Sequence, residues 1–214
     1  MTANAFVEKF GQLKASAILR TDDQEKAALA MQAAIRGGFK IIEFTLTVPG
    51  VYDLVRDFSR RPGLVVGTGT VMDEIEAQKS VEAGARFLVS PVVDEKVIHA
   101  ARELDVACMP GTHTPTEMLR AHRAGAQLCK LFPSPSGGPA WVSSVLGPMP
   151  WLKIVPTNGV DEHNAGDWIA AGAYAVGFVA PLFVPGDISA GRWDAIEERA
   201  QRCLAAMGSP TLGK

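Results

Sequence analysis

A short phrase recurs four times along this chain: small residues around a glycine, followed at once by an apolar run. It reads Arg36-Gly37-Gly38-Phe39 before Lys40-Ile41-Ile42, then Ala83-Gly84-Ala85 before Phe87-Leu88-Val89. It returns as Ala124-Gly125-Ala126 before Leu128-Cys129, and as Ala171-Gly172-Ala173 before Ala175-Val176. Gly38, Gly84, Gly125 and Gly172 follow one another at 46, 41 and 47 residues. Each stands where a helix would end, in the left-handed position that glycine fills at least steric cost. Four further apolar runs lie midway: Ser16-Ala17-Ile18-Leu19, Leu64-Val65-Val66, Val106-Ala107-Cys108-Met109 and Leu152-Lys153-Ile154-Val155. Eight strand candidates therefore succeed one another about every 22 residues.

The segments between them have helical periodicity. Ala27, Ala30, Met31, Ala34 and Ile35 fall at i, i+3, i+4 spacing; the others run about 51–60, 73–83, 94–104, 114–123, 139–146, 161–171 and 191–207. Asp73, Asp94, Thr114 and Asp161 stand at N-cap positions, and Glu117 completes a capping box with Thr114. Near-continuous hydrophobic strands alternating with helices predict a parallel sheet covered on its faces. A count of eight predicts closure into a (β/α)8 barrel, with residues 1–214 forming one domain. A doubly wound open sheet shares the same local signals and is the alternative.

Composition narrows the partners. Of 214 residues, 47% are hydrophobic, ample for a buried core. Lys plus Arg number 21 against 23 Asp plus Glu, a net charge of −2. No basic excess is left to neutralise nucleic acid or an anionic membrane surface, so any anion must be caught by a local pocket. Cys108, Cys129 and Cys203 are widely spaced, and no run approaches the ~20 apolar residues of a membrane span. Met1 to Lys14 has no signal-like apolar core. A soluble cytoplasmic protein with reduced thiols is expected.

In such a barrel, chemistry sits at the C-terminal ends of the strands. The second candidate runs Ile41-Ile42-Glu43-Phe44-Thr45-Leu46-Thr47, so Ile41, Glu43, Thr45 and Thr47 share one face and Ile42, Phe44 and Leu46 the other. The sixth ends Leu128-Cys129-Lys130-Leu131-Phe132-Pro133. A charge within an apolar strand is expensive unless paired. Glu43 and Lys130 could form a buried structural ion pair. Alternatively, burial lowers the Lys130 pKa, and the neutral amine attacks a carbonyl to form a Schiff base, with Glu43 as acid/base. Lys40 and Lys153 precede their runs and reach solvent at the opposite end. Thr45, Thr47 and Thr70 are uncharged donors suited to a substrate carboxylate. His99, His122 and His163 fall on helical segments, whereas His113 lies at a strand end and could face the site. No metal-ligand spacing appears, so no metal is expected.

At these residues the chain resembles the 2-keto-3-deoxy-6-phosphogluconate / 4-hydroxy-2-oxoglutarate (KDPG/KHG) aldolase family, class I aldolases on a (β/α)8 barrel. The resemblance is carried by Glu43-Phe44-Thr45-Leu46-Thr47, Gly67-Thr68-Gly69-Thr70-Val71, Val89-Ser90-Pro91, Met109-Pro110-Gly111, Lys130-Leu131-Phe132-Pro133 and Val155-Pro156-Thr157-Asn158-Gly159. It implies Lys130 as the Schiff-base lysine, no separate cofactor, and Glu43 as the acid/base. It further implies a pyruvyl pocket lined by Thr70, Pro91 and Phe132, and a homotrimer. Arg often stands in this family at the position of Thr47. The family's phosphate site lies after the seventh and eighth strands, placing Thr157, Asn158, Gly159, Gly177 and Phe178 there. Similar proteins usually read Thr-Gly-Gly and Gly-x-Gly-Ser in these loops; this chain reads Thr157-Asn158-Gly159 and Gly177-Phe178-Val179-Ala180. Two glycines and a hydroxyl are lost.

The expected activity is retro-aldol cleavage of a 2-oxo-4-hydroxy acid to pyruvate and an aldehyde, with a phosphorylated or unphosphorylated tail. A barrel that binds 2-oxo acids without turnover is a second reading, against which the retained Glu43 and Lys130 argue. A phosphosugar isomerase would need paired acid/base groups and no buried lysine.

Overall fold

The computed structural model describes residues 1–208. The strands are β1 (Ala15–Leu19), β2 (Ile41–Thr45), β3 (Val65–Gly69), β4 (Phe87–Ser90), β5 (Ala107–Thr112), β6 (Cys129–Leu131), β7 (Ile154–Pro156) and β8 (Val176–Phe178). All pair in parallel in the order β7-β6-β5-β4-β3-β2-β1-β8, and a bridge between Thr157 and Gly177 joins the two ends. The eight strands form a nearly closed (β/α)8 barrel, so the open-sheet alternative falls away. The helices are α1 (Ala3–Leu13), α2 (Gln24–Arg36), α3 (Val51–Ser59), α4 (Glu74–Ala83), α5 (Glu95–Glu103), α6 (Pro115–Ala124), α7 (Ala140–Leu146), α8 (Ala165–Ala170), α9 (Pro185–Ser189) and α10 (Trp193–Ala206).

Period-two alternation along each strand divides the apolar residues into two layers. Ile42, Phe44, Val66, Leu88 and Cys108 point outward and pack under the helices. Ile41, Val65, Phe87, Val89, Met109, Leu128 and Val155 fill the barrel. The four repeated glycines, Gly38, Gly84, Gly125 and Gly172, all have positive φ, from 99° to 117°. The recurrent phrase is thus a helix stop followed by a strand start.

Asp73, Asp94 and Thr114 cap α4, α5 and α6, and Thr114 with Glu117 forms the capping box. The expected cap at Asp161 is corrected: α8 begins only at Ala165. Asp161 instead accepts from the amides of His163 and Asn164 at 2.8 and 3.1 Å, folding 161–164 into a turn. His163 therefore lies in that turn rather than on a helix.

Two helices go beyond the sequence expectation. α1 lies across the N-terminal end of the barrel. Its Phe6 and Phe10 are fully buried, and Phe6 stacks on Phe87 at 4.5 Å between centroids. They join the interior layer, so the barrel is plugged from below. Near that end, Lys153 lies 5.7 Å from the Tyr174 ring centroid and Lys40 is exposed, both away from the C-terminal rim. α9 is a five-residue helix between β8 and α10. Among the described residues no helix is long and apolar enough to cross a membrane.

Candidate active site

At the C-terminal rim, a pocket of about 340 Å³ opens above the interior layer. Seven strands or their following loops contribute to it: Ile18 and Arg20, Glu43 and Thr45, Thr70, Pro91, Lys130 and Phe132, Thr157 and Asn158, and Val179. Strand alternation aims Glu43 inward between the outward-facing Ile42 and Phe44. Glu43 is 1% exposed, and its Oε2 is buried without a hydrogen-bond partner. Its Oε1 occupies space that a side chain at residue 69 would need: a Cβ on Gly69 would fall 1.9 Å from it. Glycine at this end of β3 is what admits the carboxylate.

Lys130 enters from β6, between Cys129 and Leu131, whose side chains face the helices. Its Nζ lies 4.8 Å from the centroid of the Phe132 ring, within cation–π range. Burial drives the Lys130 pKa down, because the ammonium form is desolvated; Glu43 opposes that shift and Arg20 adds to it. Burial also drives the Glu43 pKa up, against the opposing pull of Lys130 and Arg20. Both groups are thus pushed toward their neutral forms. They form no contact ion pair, and the orphaned Glu43 Oε2 does not fit a satisfied structural pair. A desolvated amine beside a desolvated carboxyl suits nucleophilic addition to a carbonyl with proton transfer.

Arg20 was not among the sequence candidates. It follows β1 directly, and its Nη2 donates to Thr70 Oγ1 at 3.0 Å. Thr70 itself holds φ at 63°, a costly conformation for a β-branched residue, which turns the end of β3 toward the mouth. The signal for Arg20 was the same as for Lys130: a cation immediately at the end of an apolar run.

The other sequence candidates divide. Thr45, Thr70, Pro91, Phe132, Thr157 and Asn158 line the pocket with Lys130 and Glu43. Thr47 does not. It lies two residues past β2, where its hydroxyl is 2.8 Å from that of Thr45, and it lines a neighbouring cavity instead. The Phe178 side chain does not line the pocket: its ring faces the helices and meets Phe39 edge-on at 5.7 Å, which leaves its backbone toward the loop. Gly177 is a point of close packing, since a Cβ there would lie 2.7 Å from Ile18 Cδ1 and 2.9 Å from Thr157 Oγ1. Gly159 lies beyond the lining, its carbonyl accepting from Asn164 Nδ2 at 2.8 Å. Asn158, at φ 71°, is held by a short hydrogen bond from Ser134 Oγ to its carbonyl. Val179 reaches the pocket where Phe178 does not. His113 stays outside: its Nδ1 lies 3.0 Å from the Pro133 carbonyl oxygen, bracing the loop after β6. Among the described residues no His, Cys, Asp or Glu cluster could hold a metal.

Comparison with known proteins gives a family. Residues 7–199 match the family model described as KDPG and KHG aldolase. A probable 2-dehydro-3-deoxy-6-phosphogalactonate aldolase of Rhizobium meliloti is 35% identical over 89% of this chain and 89% of its own. A 2-dehydro-3-deoxy-phosphogluconate aldolase of Pseudomonas aeruginosa is 33% identical over 86% of this chain and 85% of its own. Among solved structures, one described as native KDPGal superposes with a TM-score of 0.82 at 26% identity, covering 90% of this chain and 93% of that one.

Proposed function

Because this chain belongs to the KDPG and KHG aldolase family, we propose that it cleaves a 2-oxo-4-hydroxy acid through a Schiff base on Lys130. The observation that carries this reading is the pairing in one pocket of a half-buried lysine, its pKa pushed down, with a buried Glu43 whose Oε2 has no hydrogen-bond partner.

The neutral Lys130 amine adds to the C2 carbonyl. Glu43, in the protonated form that burial favours, gives its proton to the departing hydroxyl, which leaves as water and forms the protonated imine. The resulting carboxylate takes the proton from the C4 hydroxyl. The C3–C4 bond then breaks, its electrons flowing to the imine nitrogen, and the aldehyde departs. Glu43 returns the proton to C3 of the enamine, and hydrolysis frees pyruvate and the amine. Arg20 and the Thr70 and Thr45 hydroxyls are suited to the C1 carboxylate, and Phe132 lies over the iminium.

The substrate's tail then points toward Thr157, Asn158 and Val179. There Asn158 and Val179 stand where similar proteins usually have glycine, and Ala180 where they usually have a hydroxyl. These features favour an unphosphorylated tail, as in 4-hydroxy-2-oxoglutarate, with glyoxylate released. A homotrimer in the cytoplasm, without metal or dissociable cofactor, completes the proposal.

Borohydride reduction with pyruvate, followed by peptide mass spectrometry, tests the chemistry: Lys130 is the residue expected to carry the adduct. Unmodified Lys130 in folded protein ends the proposal. Glu43→Gln is expected to retain trapping while slowing turnover about 100-fold or more. The tail assignment fails if kcat/KM for the 6-phosphorylated sugar acid exceeds that of its dephospho analogue tenfold.

A further inference from the structure

Beside the catalytic pocket, on the same rim above β8, β1 and β2, lies a separate cavity of about 410 Å³. Phe183, Pro185 and Ile188 make its apolar wall; Arg20, Thr47 and Ser189 are among its polar groups. Arg20 lines both spaces; Thr45 lines one and Thr47 the other, their hydroxyls hydrogen-bonded to each other at 2.8 Å. A guanidinium and a threonine pair thus form the partition.

The apolar wall is held from behind. A five-residue helix has little stability of its own, yet α9 carries the buried Asp187. Its carboxylate accepts from Arg192 and Arg199 at 2.7 Å, and Arg199 Nη1 also donates to the Leu182 carbonyl at 3.0 Å. These bonds fix both ends of the segment carrying Phe183 and Ile188, so the wall exists before any ligand arrives.

Arg20 makes one hydrogen bond and, among the described residues, no ion pair with a carboxylate. A guanidinium offers five N–H donors in a plane that matches a carboxylate. Facing it, the edges of the nearly buried Phe183 and Ile188, with the exposed Pro185, make the apolar surface. Asp22, which also lines the cavity, opposes a second negative charge.

We propose that this cavity is a second ligand site, for a small monocarboxylate with an apolar tail, its head group on Arg20 and its tail against Phe183 and Ile188. Occupancy draws on the same guanidinium as the catalytic pocket and thereby weakens the hold on the substrate carboxylate. This coupling rests on the role given to Arg20 under the proposed function; the binding site itself does not.

Hexanoate is a suitable probe because it has no carbonyl to condense with Lys130, and acetate is its tail-less counterpart. Two isoleucine methyls distinguish the spaces in an NMR titration: Ile188 lines the cavity and Ile18 the catalytic pocket. Hexanoate is expected to shift the Ile188 signal to saturation with Ile18 unmoved, at a concentration at least tenfold below that for acetate. Arg20→Met should abolish the response. Ser189→Trp, at an exposed position, should block it while leaving pyruvate trapping intact. Saturating hexanoate should raise KM at least threefold with kcat unchanged. Movement of Ile18 first, no movement of Ile188, or equal potency of acetate overturns the site. An unchanged KM overturns the coupling. If pyruvate trapping fails while Ile188 still responds, the aldolase reading falls and the site stands.

Discussion

Arg20 acts electrostatically on both groups of the proposed catalytic pair, lowering the pKa of Lys130 and of Glu43. Removing its charge therefore raises both. In Arg20→Met the Lys130 amine should lose its proton only at higher pH, so the pH profile of pyruvate trapping moves to the alkaline side. An unmoved or acid-shifted profile contradicts this assignment. At the residue scale, most of the pocket was legible in the sequence. Glu43 and Lys130 were visible because a charge in an apolar strand is anomalous, and alternation set the direction in which each points. Arg20 carried the same signal and was passed over because it stands one residue beyond its strand. Thr47 was placed by extending that alternation past Thr45, where β2 has already ended and the chain turns. Phe178 was placed in the site as part of a loop motif, whereas strand parity turns its ring outward.

Elements were legible where the repeat is regular and less so where tertiary contact decides. The eight strands and their glycine stops were readable because each unit repeats one local solution. α1 precedes the first repeat, so no periodic frame pointed to it, and its role appears only when Phe6 and Phe10 enter the barrel. α9 is too short for a periodic signal and is held by Asp187. Asp161 has the chemistry of a cap but spends it on a turn. The plug makes a quantitative expectation possible. Phe6→Ala removes a fully buried ring stacked on Phe87 and should destabilise the fold by about 3–5 kcal/mol. Urea unfolding measures it, and a loss under about 1 kcal/mol would show that α1 contributes little to closing the barrel.

At the scale of the whole molecule, the charge balance of −2 leaves no positive field to gather anionic substrates. On the proposed function, capture falls to Arg20 and a few hydroxyls at short range. Electrostatic steering would make association strongly salt-dependent. Here kcat/KM for a 2-oxo acid substrate should change less than about threefold between roughly 20 and 200 mM salt, and a tenfold fall would point to long-range attraction instead. The plug of α1 also has a consequence for traffic. With Phe6 and Phe10 filling the floor, the pocket at the C-terminal rim is entered from the opposite end of the barrel. On the proposed Schiff-base route, the aldehyde and then pyruvate both leave toward that rim. On that route the barrel serves as a cul-de-sac, and the fragment held on Lys130, nearest the plugged floor, is the last to leave.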